Sequence, residues 1–164
     1  MQIAIRQETP VIQRLLFQMA NKKDLYRNIG EDQIESTMEN FKHQGRPEKW
    51  EPLSPKTIVS QFQSGNTGRK NRRRVKTRSG KVSKSFARYN AGKKILVDKG
   101  VLMGSIMYEI AWDGVAIGPS GPAVDYGKAH QAGTDTIPPR PFVVVLQSDS
   151  ENMKKQISKH FFKR

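Results

Sequence analysis

Apolar positions fall along this chain in short runs of differing period. Residues 2–6 (QIAIR) alternate apolar and polar, which predicts a short half-buried strand. Thr9-Pro10 then reads as the cap and first position of a helix, where proline has no N–H to lose, and Val11, Leu15, Leu16 and Met19 continue it at helical spacing. The polar break Asn21-Lys22-Lys23-Asp24 separates it from a second helix, in which Ile34, Met38 and Phe41 mark one buried stripe. Gly45, Pro47 and Pro52 end helical structure.

Apolar order resumes at Ile95-Leu96-Val97 and Gly100-Val101-Leu102. Residues 105–112 alternate loosely and predict a strand, Asp113-Gly114 a two-residue hairpin turn, and residues 115–118 the partner strand. Residues 126–131 predict a single helical turn, and Phe142 to Leu146, apolar and rich in valine, a further strand. Ser148 with Glu151 three residues on reads as a capping box for a last helix, which ends in the basic, aromatic residues 159–164. Helices and antiparallel hairpins are segregated along the chain, so the expected class is α+β: a small antiparallel sheet packed against N-terminal and C-terminal helices.

Between these blocks, residues 64–94 are rich in Ser, Gly, Asn, Lys and Arg, with only Val75, Val82 and Phe86 as sizeable burial candidates. Such a composition does not repay the entropy of ordering, so it predicts a long flexible loop or arm inserted in a single domain spanning residues 1–164. A loop of that length is more often functional than decorative.

Composition sharpens the picture at two points. There is no cysteine, which excludes disulfides and thiolate metal sites and agrees with a reducing compartment. No apolar run approaches the roughly 20 residues of a membrane helix, and the opening MQIAIRQETP lacks the pattern of a signal peptide, so the expectation is a protein made and kept in the cytoplasm, with no membrane partner. The second point is charge. The net charge is +14, and the interval between Glu51 and Asp98 holds thirteen lysines and arginines and no acid, so the remainder of the chain carries a net charge of only one. The cluster Arg69, Lys70, Arg72, Arg73, Arg74, Lys76, Arg78, Lys81, Lys84 and Arg88 is therefore the candidate arm for a polyanion, either nucleic acid or an acidic protein surface.

Catalytic chemistry is not legible. His43, His130 and His160 lie far apart without ligand spacing, so no metal is expected. Asp125 and His130 are five residues apart, which a helix does not hold on one face. No phosphate-binding glycine loop and no nucleophile elbow occur, and no cofactor is implied. These absences point to a binding or assembly protein rather than an enzyme.

Six pieces recur in a fixed order: Trp50-Glu51-Pro52-Leu53-Ser54 with Thr57; Ile95-Leu96-Val97-Asp98 running into Gly100 and Leu102; Ser105-Ile106; Val115-Ala116-Ile117-Gly118; Tyr126 to Gln131 with Gly133; and Ile137-Pro138 with Arg140-Pro141-Phe142. This succession resembles the phage virion morphogenesis family, the tail completion proteins of contractile-tailed, Mu-like and P2-like bacteriophages. It covers nearly the whole chain, is weakest in residues 1–25 and is absent from the basic stretch. Where the family commonly has Tyr-Ala, this chain has Tyr126-Gly127.

The resemblance implies a small antiparallel sheet packed on helices. It also implies a place at the neck of the virion, assembled in the host cytoplasm: a ring, hexameric by resemblance, that caps the tail tube and joins it to the head connector. Of the motif residues, Trp50, Leu53, Leu102, Ile106, Ile117 and Phe142 read as core, whereas Tyr126, His130, Gln131 and Arg140, expected on turns, are the candidate intersubunit residues. The arm would then face either the double-stranded DNA of the channel or an acidic tube or connector surface, with the protein surface favoured. The rival reading is a stand-alone basic nucleic-acid-binding protein; against it, the basic stretch offers only Phe86 and Tyr89 for base stacking.

Overall fold

The computed structural model describes residues 10–64 and 73–162. The strand expected at residues 2–6 lies outside them, as do Arg69, Lys70 and Arg72. Helix α1 (Pro10–Ala20) opens on its proline, and α2 (Lys23–His43) follows after the polar break. Phe41 is buried, with Ile34 and Met38 packed beside it, as the stripe predicts. A second stripe, Gln33, Ser36, Thr37 and Asn40, is buried as well although it is polar. The helix stops where Gln44 and then Gly45 take positive φ and their N–H groups return to the carbonyls of Phe41 and Asn40. Only glycine fits at the second position: φ there is +107°, and a Cβ would stand 2.4 Å from the Glu48 carbonyl oxygen.

Strands β1 (Ile106–Ile110) and β2 (Val115–Pro119) form an antiparallel two-stranded sheet that pairs Ile106 with Pro119, Tyr108 with Ile117 and Ile110 with Val115. Such a hairpin is marginal alone, and α2 supplies its cover. The crossing is close because Gly30 lies under the Tyr108 ring, 2.6 Å from where a Cβ would be. Around this contact Phe41, Trp50, Leu102, Ile106, Ala123 and Phe142 form the core. Phe41 meets Trp50 edge-on at 5.6 Å and Phe142 tilted at the same distance. Helices α3 (Pro55–Ser64), α4 (Lys84–Gly92), α5 (Val101–Gly104), α6 (Val124–Ala132, after a 3-10 turn at Gly121–Ala123) and α7 (Gln147–Phe162) complete an α+β fold. Among the described residues no helix is long and apolar enough to cross a membrane.

Over residues 73–94, the described part of the expected long loop, the chain forms a turn and a helix. Ser83 caps α4 by accepting a hydrogen bond from the Phe86 amide, and Phe86 and Tyr89, one helical turn apart, close on the buried Phe62 of α3 at 5.1 and 5.3 Å. Composition leaves Phe86 as the segment's one aromatic burial candidate; with Tyr89 on the same helix face and Phe62 opposite, it makes a satellite core. Before α4, the Thr77 amide bonds Lys81 and the Ser83 amide bonds Val75 across a turn at Gly80. Helix α3 itself was unforeseen, although Ser54-Pro55 is a cap and first position of the same kind as Thr9-Pro10.

Other expectations shift. The hairpin turn is centred on Trp112-Asp113, one residue earlier than expected, with the Ala111 amide bonding the Gly114 carbonyl. Residues 126–131 belong to a nine-residue helix rather than one turn. Ser148 does not cap α7; the Asp149 carboxylate accepts from the Leu146 amide, three positions earlier in the chain. Phe142 to Leu146 form no strand, because side chains rather than a neighbouring strand take their backbone groups.

Candidate functional site

A cleft of about 810 Å³ opens where four pieces of chain meet. One wall is Glu51 to Ser54 with Thr57 at the start of α3, where the Ser54 hydroxyl accepts from the Thr57 amide at 3.1 Å and pairs with its hydroxyl at 2.8 Å. The second is Leu96 through Leu102, bent at Leu96, whose φ of 59° is unusual outside glycine. The third is Tyr126 and His130, one turn apart on α6, and the fourth Thr136 to Pro138 with Arg140. Motif residues separated by up to ninety positions in the chain thus share one surface.

Buried polar side chains hold these walls together. Arg140, 4% exposed, donates through Nε to the Glu51 carbonyl at 2.9 Å and through Nη2 to the Pro52 carbonyl at 3.3 Å, while its amide bonds the His130 carbonyl. The Trp50 indole N–H donates to the Pro141 carbonyl at 2.9 Å. Gln131 faces away from the cleft: its Oε1 accepts from the amides of Phe142 and Val143 and its Nε2 donates to the Val143 carbonyl. Asn40, fully buried, donates to the Phe142 carbonyl at 2.8 Å and accepts from Arg46 Nε at 2.7 Å. Gln44 holds Ile95 by accepting from its amide at 2.5 Å.

The electrostatics are mixed. Lys93, Lys94, Lys99 and Arg140 line the cleft with Glu51 and Asp98. Lys93 lies 2.5 Å from Asp98 and 5.5 Å above the Tyr89 ring. Burial pushes its ammonium toward the neutral form, but bonds to Asp98 and Tyr89 outweigh this and raise its pKa. Burial first, and then the Arg140 charge, pushes His130 below its ordinary 6.5, so its ring is neutral at neutral pH. Its Nδ1 is buried without a hydrogen-bond partner among the described residues, as is Gln61 Oε1, which lines the same cleft. Among the described residues no three His, Asp or Glu side chains come together as a metal site.

The four candidate intersubunit residues therefore part company. Tyr126 and His130 line the cleft, Arg140 braces its wall, and Gln131 braces residues 142–143 on the other side of α6. Of the basic cluster, Arg73, Arg74, Lys76, Arg78, Lys81, Lys84 and Arg88 are exposed and outside the cleft, with Arg73 over the Phe62 ring at 5.7 Å. Sequence reasoning missed Asn40, Gln44 and Arg46. The available signal was the uncharged run Gln33, Ser36, Thr37, Asn40 at one-turn spacing on an otherwise charged helix.

Comparison with protein families gives a match over residues 3–161 to the phage virion morphogenesis family. No curated protein and no solved structure matches. With the family's motif residues drawn from across the chain to one braced cleft, and the match running almost end to end, the chain belongs to the phage virion morphogenesis family, whose members serve in building the virus particle.

Proposed function

We propose that this virion assembly protein is a non-catalytic tail completion subunit, working at the head–tail junction as one member of a closed ring. The observation that carries the reading is the cleft itself: its walls are mostly motif residues, and the buried Arg140 guanidinium is engaged in holding the backbone of Glu51 and Pro52. A rigid concave surface of that kind suits the seating of a neighbouring protein segment. Tail tube and head connector are the partners the reading names. A ring also requires two different complementary patches on each subunit.

The exposed cations from Arg73 to Arg88 supply a second contact, with an acidic tube or connector surface as the favoured partner and duplex DNA as the other. Removing the gene from the phage is the test. Full heads and tails that stay unjoined, or tails of faulty length, are the expected outcome. Normal joined virions would contradict the reading.

A further inference from the structure

The hairpin ends in an unusual exposure. Trp112, at its tip, is 92% exposed, the most exposed large apolar side chain among the described residues. Single apolar residues on a surface need no explanation, but tryptophan is the side chain most enriched where binding energy concentrates, and here nothing in its own chain covers it.

At the other end of the same hairpin lies a hollow of about 340 Å³ between the last residues of β2 and α6. Ile117, Pro119, Ala132 and Val143 give it apolar walls, and Gly118 leaves open space by lacking a side chain, while Gly127 packs directly on Pro119. The size suits one aromatic ring system. Trp112 cannot reach it within one molecule. The register sets Gly118 opposite Met107, five residues from Trp112 along the hairpin, about 16 Å at the ordinary rise per residue, and the five-pair ladder keeps that distance fixed. The charges agree: Asp113 adjoins the knob, Glu109 lies three residues before it on β1, Lys128 lines the hollow, and none of the three forms an ion pair among the described residues. In the near-neutral remainder of the chain, Asp113 at the tip and Lys128 at the rim are of opposite sign, so the two patches attract one another.

We infer that Trp112 of one copy inserts into the hollow beside Gly118 of the next, with Asp113 facing Lys128. The knob and the hollow are different patches on one subunit, so the contact is head-to-tail and closes into a ring when the rotation permits. This rests on the ring reading above and gives it a specific interface.

Two substitutions separate the interface from the fold. Trp112→Ala removes the knob. Gly118→Leu puts a side chain into the hollow, and its Cβ would meet nothing within 4 Å in its own chain at a position where φ is not positive. Each purified full-length variant should melt as the wild type does and lose association by at least about thirtyfold, the lower bound for a residue of this kind. Mixed in equal amounts, they should form particles of two chains and no more, because one variant keeps only the hollow and the other only the knob. Rings from either variant alone, a mixture that stays monomeric or closes into full rings, or a lowered melting temperature for either variant would overturn the inference and leave the ring reading standing. Wild-type protein that never forms rings would contradict the ring reading itself.

Discussion

Asn40 joins three parts of the structure, so its replacement measures how far the cleft depends on buried polar bonds. Its side chain ties α2 to the Phe142 carbonyl on one side and to Arg46 on the other, and no part of the residue is exposed. In Asn40→Ala the Phe142 carbonyl is left buried without its partner, worth about 1–3 kcal/mol, and the charged Arg46 loses one acceptor, worth about 1.5–3 kcal/mol. Arg46 still donates to Ser36 through Nη2, so the second figure belongs near its lower end. The expected sum is about 3 kcal/mol, which in a chain of this length lowers the melting temperature by about 6–12 °C. Asn40→Asp keeps the Arg46 bond but sets an acceptor-only carboxylate oxygen against the buried Phe142 carbonyl, so it too should be less stable than wild type. Urea unfolding with an unchanged slope is the assay. An alanine variant within about 0.5 kcal/mol of wild type, or an aspartate variant as stable as wild type, would refute the reasoning.

Gly127→Ala should destabilise by a net 1 kcal/mol or so despite the helix preference of alanine, because a Cβ there stands 2.7 Å from Pro119 Cγ; Gly118→Ala, with open space around it, should stay within about 0.5 kcal/mol. His130, whose folded pKa lies below its ordinary 6.5, binds fewer protons folded than unfolded, so stability should fall as pH drops below 6.5 and level off beneath the folded pKa. His130→Gln should flatten that part of a stability–pH profile, and an unchanged slope would show that other groups cause it. Replacing Arg74, Arg78 and Lys81 with glutamine should leave the melting temperature within the range of surface changes while weakening polyanion binding and flattening its salt dependence; unaltered binding would remove these residues from the contact.

Much of the frame was legible because period and punctuation agree. The stripe Ile34, Met38, Phe41, the paired strands after Ser105 and the proline at the start of α1 each follow from local rules. What escaped was settled by contacts distant in sequence. Phe142 to Leu146 has strand composition, yet its backbone is claimed by the side chains of Gln131, Asp149 and Asn40, the last of them 102 positions away and outside any local window. Likewise, Phe86 and Tyr89 order α4 only because Phe62 stands opposite, more than twenty positions earlier. At the site, ordered motif pieces named most of the cleft's lining, but not that Arg140 and Gln131 turn inward to brace it.

Electron microscopy of the purified chain mixed with tail tubes, followed by class averaging, bears most directly on the central claim. The account expects closed rings seated at one end of each tube, with each ring's subunits alike. Monomers scattered free of the tubes, or protein coating added duplex DNA at physiological salt without forming rings, would contradict it.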